Sequence, residues 1–282
     1  MKDEKIIGID LGATNVRGAI VNDESISEII SRRINTKGSE EQVLEDVYYI
    51  IDKLIDKDVK AIGIGVPSVV DVEQGIVYDV QHIPSWKEVH LKQILENRYQ
   101  ITVFVNNDAN CFALGEHYFG KGKGKKDMVG LTIGTGLGAG IIINNQLYAG
   151  PNCGAGEFGC VDYLDNNFEF YCSGSFFNNV YGLDGQEVFK NAQNGDAEAL
   201  KLYAEMGTHL GNAIKLVMYT YDPTLIILGG SVQLAYEYFE KTMWERIRTL
   251  VYTKSVERLQ IERSELANSG ILGAAGLYFD AL

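Results

Sequence analysis

Asp108 closes the run Asn106-Asn107-Asp108, where an apolar, strand-like stretch at 101–105 gives way to helical residues from 109 to about 117. Ligand groups in α/β folds gather at the C-terminal ends of strands, and a carboxylate there has two possible uses. As a base it would accept the proton of a substrate hydroxyl while that oxygen attacks a γ-phosphorus. As a helix cap it would only accept backbone N–H bonds. Two further segments could cradle the phosphate. Asp10-Leu11-Gly12-Ala13-Thr14 ends an apolar strand with an acid and a turn of small residues, and Gly134-Thr135-Gly136-Leu137-Gly138 repeats the pattern. Small side chains let backbone N–H groups approach an anion, although Gly and Thr also serve ordinary hairpins.

Asp10 could hold Mg2+ through water, because that ion keeps several waters and takes few protein carboxylates. It could equally be an Asx-turn acceptor. Gly229-Gly230 follows the apolar run 225–228. Bare backbone there would let an adenosine lie flat, or it would simply make a tight strand-to-helix turn.

The elements that must position these residues are partly legible. Residues 7–22 overlay 129–144 without a gap, aligning Gly8 with Gly130, Gly12 with Gly134, Gly18 with Gly140 and Ile20 with Ile142. Each copy reads as strand, Gly/Thr turn and strand, a hairpin pattern that suggests two related halves. Ser39-Glu40-Glu41-Gln42 is a capping box, and Val43, Val47, Ile50 and Leu54 follow at helical spacing. Residues 61–66 read as a buried strand ended by Pro67. Asp196 is placed to cap a helix through Met206, Leu210, Ile214 and Val217, stopped at Asp222-Pro223. A last helix begins near Ser269, and 152–175, rich in Gly, Asn and aromatics, reads as an ordered functional loop. Strands and helices alternate throughout, so the class is α/β.

Composition narrows the function classes. The 282 residues, 46% apolar, suffice for two modest domains around one cleft. No apolar run approaches the roughly 20 residues of a membrane helix. The N-terminal Met-Lys-Asp-Glu-Lys passes straight into Ile6-Ile7-Gly8-Ile9, so no signal sequence is expected and the protein is expected in the cytoplasm. With 25 basic against 38 acidic residues the net charge is −13, and only Lys121, Lys123, Lys125 and Lys126 cluster. A nucleic-acid partner is not expected. Four cysteines in such a chain are expected as thiols.

Taken together, these segments resemble the ROK family, which groups sugar kinases and related repressors in the actin-like ATPase superfamily. The resemblance runs nearly end to end. It is carried by Ile9-Asp10-Leu11-Gly12-Ala13-Thr14, Gly63-Ile64-Gly65-Val66-Pro67, Pro84-Ser85-Trp86, Asn107-Asp108-Ala109-Asn110, Thr132 to Gly138, Gly156-Glu157-Phe158-Gly159 and Ile227-Leu228-Gly229-Gly230. It implies a two-lobed actin-like ATPase (ribonuclease H-like) fold with a central cleft. One lobe would be 1–108 plus 268–282, the other 109–267. It also implies Mg-ATP-dependent phosphorylation of a hexose or N-acetylhexosamine at C6, in a homodimer. Asp108 would be the base, and Asn107, Glu157 and Glu169 would hold sugar hydroxyls, since a carboxylate can accept from two of them. Gly12, Ala13, Thr14, Gly134, Thr135, Gly136, Gly229 and Gly230 would serve the nucleotide.

Two positions depart from the family pattern. Cys160 stands where the family usually has His, and the Cys-rich zinc loop that normally follows is absent from 161–168, so no structural zinc is expected and packing should shape that loop. Asn15 stands where many members carry Lys, with Arg17 two residues on. A catalytically silent sugar sensor of the same fold is therefore the competing expectation. A repressor would need a helix-turn-helix ahead of the first phosphate turn, and only nine residues precede Asp10.

Overall fold

The computed structural model describes residues 4–22, 25–80, 82–151 and 153–282. Met1, Lys2, Asp3, Asp23, Glu24, Gln81 and Asn152 lie outside the described residues. Strands and helices alternate along the chain. It divides into two compact units, 1–126 with 140–155 and 265–282, and 127–139 with 156–264.

In the first unit Lys5–Leu11 pairs antiparallel with Asn15–Val21 and parallel with Val59–Val66, which pairs in parallel with Thr102–Asn107. Ile30–Arg33 adds an antiparallel edge. Side chains alternate across a strand, and Lys5–Leu11 uses both faces. Ile7 and Ile9 join the core with Val43, Val47, Ile50 and Leu54 of the helix Glu40–Leu54. Burying each such side chain is worth about 1.5–3 kcal/mol. The capping box forms: Ser39 Oγ accepts the Gln42 N–H, and the Gln42 side chain accepts the Ser39 N–H at 3.0 Å.

On the opposite face Ile6 joins Ile271, Ala275 and Phe279 of the C-terminal helix Ser269–Asp280. That helix lies directly on the sheet backbone. A Cβ on Gly8 or Gly63 would come within 2.1 or 1.8 Å of the Ile271 or Ala274 carbonyl oxygen. The helix Asp108–Phe119 falls in this unit, whereas the sequence reading grouped 109–126 with the other lobe. The reason is packing: Tyr118 and Phe119 meet Phe279 at ring distances of 5.8 and 6.2 Å.

The second unit repeats the plan. Met128–Ile133 leads through a short turn into the strand Leu137–Ile143, whose residues from 140 onward fall in the first unit, and Met128–Ile133 pairs in parallel with Leu225–Gly229, which pairs in parallel with Gln260–Arg263. The offset that maps Gly12 onto Gly134 also maps the hairpin ends, Leu11 onto Ile133, Asn15 onto Leu137 and Val21 onto Ile143. Asp196 caps the helix Ala197–Tyr221 by accepting the Ala199 N–H at 2.9 Å, and Asp222, left-handed at φ 45°, ends it before Pro223. Met206, Leu210, Ile214 and Val217 are its buried face. Among the described residues no helix is long and apolar enough to cross a membrane.

Candidate active site

In the first unit the strand Thr102–Asn107 runs directly into the helix that Asp108 begins. The cap is Asn107. Its Oδ1 accepts the Ala109 N–H at 2.8 Å, and its Nδ2 donates to the Ser68 carbonyl at 3.2 Å. Capping is thus not the job of Asp108, which sits one residue later in the first helical turn. Beneath this junction lies a buried polar network that the sequence reading did not anticipate. Asn106 Oδ1 accepts from the Asn107 N–H at 2.8 Å, Asn110 Nδ2 at 2.9 Å and Cys153 Sγ at 3.0 Å. Asn106, Asn110 and Cys153 are all buried, where unshielded hydrogen bonds are strong and fix geometry. The i, i+4 spacing of Asn106 and Asn110 is the signal that could have revealed the near half of it; Cys153 is distant in sequence.

The first candidate turn, Gly12-Ala13-Thr14, closes through the Gly12 N–H donating to the Asn15 carbonyl at 2.9 Å. An Asx turn at Asp10 is therefore not formed. Asp10 and Arg17 face each other in register across the hairpin, and Arg17 Nη2 donates to Asp10 Oδ2 at 2.6 Å. The Arg17 charge is matched there. Asn15 Nδ2 turns to Thr14 Oγ1 at 3.0 Å. The Cys111 thiol pKa is pushed well up, by burial first and by the charges of Asp108 and Asp10 next. Among the described residues no cluster of three or more His, Cys, Asp or Glu is placed to hold a metal. A single carboxylate with one oxygen in an ion pair suits an ion that brings its own waters and phosphate ligands, which is the habit of Mg2+.

The second candidate turn, Gly134-Thr135-Gly136, belongs to the second unit and is held differently. The Gly134 N–H donates to the Gly136 carbonyl at 3.0 Å. Residues 169–175 then clamp the turn from outside. The Leu137 N–H donates to Glu169 Oε2 at 2.9 Å, the Gly174 N–H to the Gly134 carbonyl at 2.7 Å and the Ser175 hydroxyl to the Thr135 carbonyl at 2.9 Å. Beside it opens a cavity of about 620 Å3 whose walls include Thr135, Ser175, Phe177, Phe189, Val232 and Leu234, a size typical of small-molecule sites. Gly229 and Gly230 are not among its walls. Gly230 is left-handed at φ 79° and a Cβ on it would lie 2.4 Å from the Ile133 carbonyl oxygen, so the strand-to-turn geometry itself demands glycine. The residues after it, Ser231–Ala235, supply the wall. Phe177, Phe189 and Val232 were not foreseen, because their role depends on long-range packing.

Glu157, Cys160 and Glu169 gather in the same unit. Cys160 Sγ donates to Glu157 Oε2 at 3.7 Å. Glu157 is exposed overall, yet the atoms packed about its carboxyl raise its pKa by desolvation. The thiol hydrogen bond opposes that rise, and the Glu169 charge adds to it. The Cys160 pKa is raised too, by burial and then by both carboxylates, which keeps it a neutral donor. The segment after it holds its shape by aromatic packing. Tyr163 stacks on Phe168 at 4.3 Å and 12° and meets the edge of Tyr171. The Tyr163 hydroxyl is pinned by Asn212 Nδ2 at 2.7 Å and His209 Nδ1 at 3.1 Å. Asn167 caps the helix Phe168–Cys172 that carries Glu169.

Comparison with known proteins places this geometry. The ROK family model matches residues 6–281. The chain is 29% identical to the glucokinase of Thermotoga maritima over 97% of its own length and 96% of that protein's. It is 25% identical to the xylose repressor of Bacillus subtilis, over 97% of this chain and 77% of that one. A crystal structure of the ROK family glucokinase of Streptomyces griseus, in complex with glucose and AMPPNP, superposes with a TM-score of 0.79 at 26% identity, covering 97% of this chain and 98% of the other. With a family model that matches residues 6–281, the chain is a member of the ROK family, with its actin-like ATPase fold.

Proposed function

We propose that the chain is an ATP-dependent sugar kinase acting on a hexose or N-acetylhexosamine, with the C6 hydroxyl as acceptor. The observation that carries this reading is the junction at 107–108: Asn107 caps the helix, which removes capping as an explanation for Asp108. Asp108 takes the proton of the sugar hydroxyl as that oxygen bonds to the γ-phosphorus, the bond from the γ-phosphorus to the bridging oxygen breaks, and ADP leaves. Catalysis of this kind is chiefly positioning and charge stabilisation. Asn107, Glu157 and Glu169 orient the sugar, with the Cys160 thiol in support of Glu157. Gly12, Ala13 and Thr14 in one unit and Gly134, Thr135 and Gly136 in the other serve the phosphates. The cavity beside the second turn takes the nucleoside, with Gly229 and Gly230 shaping its approach. Mg2+ supplies charge neutralisation at the phosphates when bound, and Asp10 would reach it through water. The same reading carries a cytoplasmic homodimer, which sedimentation tests.

A catalytically silent sugar sensor is the rival, favoured by Asn15 and Cys160 and by the likeness to a repressor. Coupled ADP release measured across hexoses and N-acetylhexosamines separates the two. Turnover with at least one sugar is expected; none with any sugar sinks the kinase reading. In the active enzyme Asp108→Asn should lower kcat by about 10³-fold or more while leaving sugar affinity within a few-fold. A small loss of rate would remove Asp108 from the role.

A further inference from the structure

Glu169 enters the reading above as a sugar ligand, yet its carboxylate is already employed. Oε2 accepts the backbone N–H of Leu137, the residue that closes the second phosphate turn, at 2.9 Å. The contact is built from both sides. Gly136 has no side chain where a Cβ would lie 2.6 Å from that same oxygen, and Gly159 presses its Cα side against the Glu169 Cβ and the Leu137 carbonyl. Ser175 and Gly174, on the segment that follows Glu169, add bonds to the carbonyls of Thr135 and Gly134. The other carboxylate oxygen, Oε1, accepts no hydrogen bond among the described residues.

We infer that Glu169 is a positioning residue for the nucleotide: its charged oxygen Oε2 sets the phosphate turn 134–136, while Oε1 is left to the acceptor sugar, so that one carboxylate links the two substrates. A charge-assisted bond to a backbone N–H is stronger than a neutral one, and it orients the amides of a turn whose backbone is meant to face phosphate. Linkage of this kind is reciprocal. The inference rests on the kinase reading for the sugar, but not for the nucleotide.

The test is binding of MgADP in the absence of any sugar, measured by calorimetry on the full chain. The wild type, Glu169→Ala, Glu169→Gln and Ser175→Ala are compared. A residue that only held sugar would leave MgADP affinity unchanged in every variant. The expected result is a loss of about tenfold for Glu169→Ala. Glu169→Gln should fall between, since an amide oxygen still accepts the Leu137 N–H without the charge, and Ser175→Ala should lose about threefold. MgADP affinity in Glu169→Gln equal to wild type overturns the inference, and this variant decides the matter if Glu169→Ala does not fold. Failure of the wild type itself to bind MgADP would instead overturn the nucleotide reading on which the assignment of the turn stands.

Discussion

The two hairpin turns share a leading glycine, their length and their flanking strands, and they differ in what holds them. Gly12-Ala13-Thr14 is held by local bonds: the Gly12 N–H reaches the Asn15 carbonyl, Asn15 Nδ2 donates to Thr14 Oγ1, and the Thr14 carbonyl accepts the Ile34 N–H at 2.9 Å beyond the edge strand. Ala13, Thr14 and Asn15 are exposed. Gly134-Thr135-Gly136 is held by three bonds from 169–175, one of them to a carboxylate. Charge differs as well. Asp10 of the first turn is matched by Arg17, whereas among the described residues no Lys or Arg pairs with Glu157 or Glu169. Two hairpins of matching length thus carry different supports, one local and one reaching from 169–175.

The largest effect that would sharpen this contrast comes from adding one methyl group to each turn. In Gly136→Ala the new Cβ would meet Glu169 Oε2 at 2.6 Å, so the carboxylate must swing aside and release the Leu137 N–H. Gly12→Ala meets only the Asn15 carbonyl oxygen at 3.3 Å, which a small shift relieves. Nucleotide affinity should fall about tenfold in the first and stay within about threefold in the second, with melting temperatures reported alongside. Equal losses in the two would dissolve the distinction.

That distinction was only half readable in the sequence. The hairpins, the capping box at Ser39 and the helix capped by Asp196 are set by local chemistry, so spacing alone placed them. Asn107 and Asp108 were both singled out, but local rules allowed either to cap, and only the strand's extension to Asn107 settled which does. The clamp on the second turn joins residues more than thirty positions apart, with no periodicity to announce it. The same holds for the division of the chain, where aromatic contacts with Phe279 bring Tyr118 and Phe119 into the first unit. Neither the turns nor the carboxylates predicted the Tyr163, Phe168 and His209 cluster.

A smaller effect tests the first turn's missing cation. Asn15 is exposed, and among the described residues its side chain bonds to its neighbour Thr14, while Arg17 is committed to Asp10. Asn15→Lys should therefore supply a charge that the turn lacks, lowering KM for ATP by about threefold at low salt. The gain should fade near 0.5 M salt, because an exposed charge is screened over a few ångströms there. If ATP affinity stays flat at low salt, the first turn does not meet phosphate closely.

The smallest effect reads the unmatched acids of the second unit. The Glu157 pKa is raised in the folded chain, first by desolvation and further by Glu169, so the folded state holds that proton more tightly than the unfolded state does. Such a group favours folding below its unfolded pKa, and the contribution is lost as pH rises through the folded value. At neutral pH the ionised carboxylate is thus a burden, reduced by solvent because the residue is exposed. Glu157→Gln cannot ionise and keeps the shape, so it should melt about 1–2 °C higher than wild type at pH 7. The gap should close below about pH 4, where both forms are neutral. Asp10→Asn, by contrast, leaves the Arg17 guanidinium without its partner and should lower the melting temperature at pH 7. Scanning calorimetry of the two variants across pH 4 to 8 reads both signs, and a shift in the same direction for the two would show that charge matching does not separate the turns.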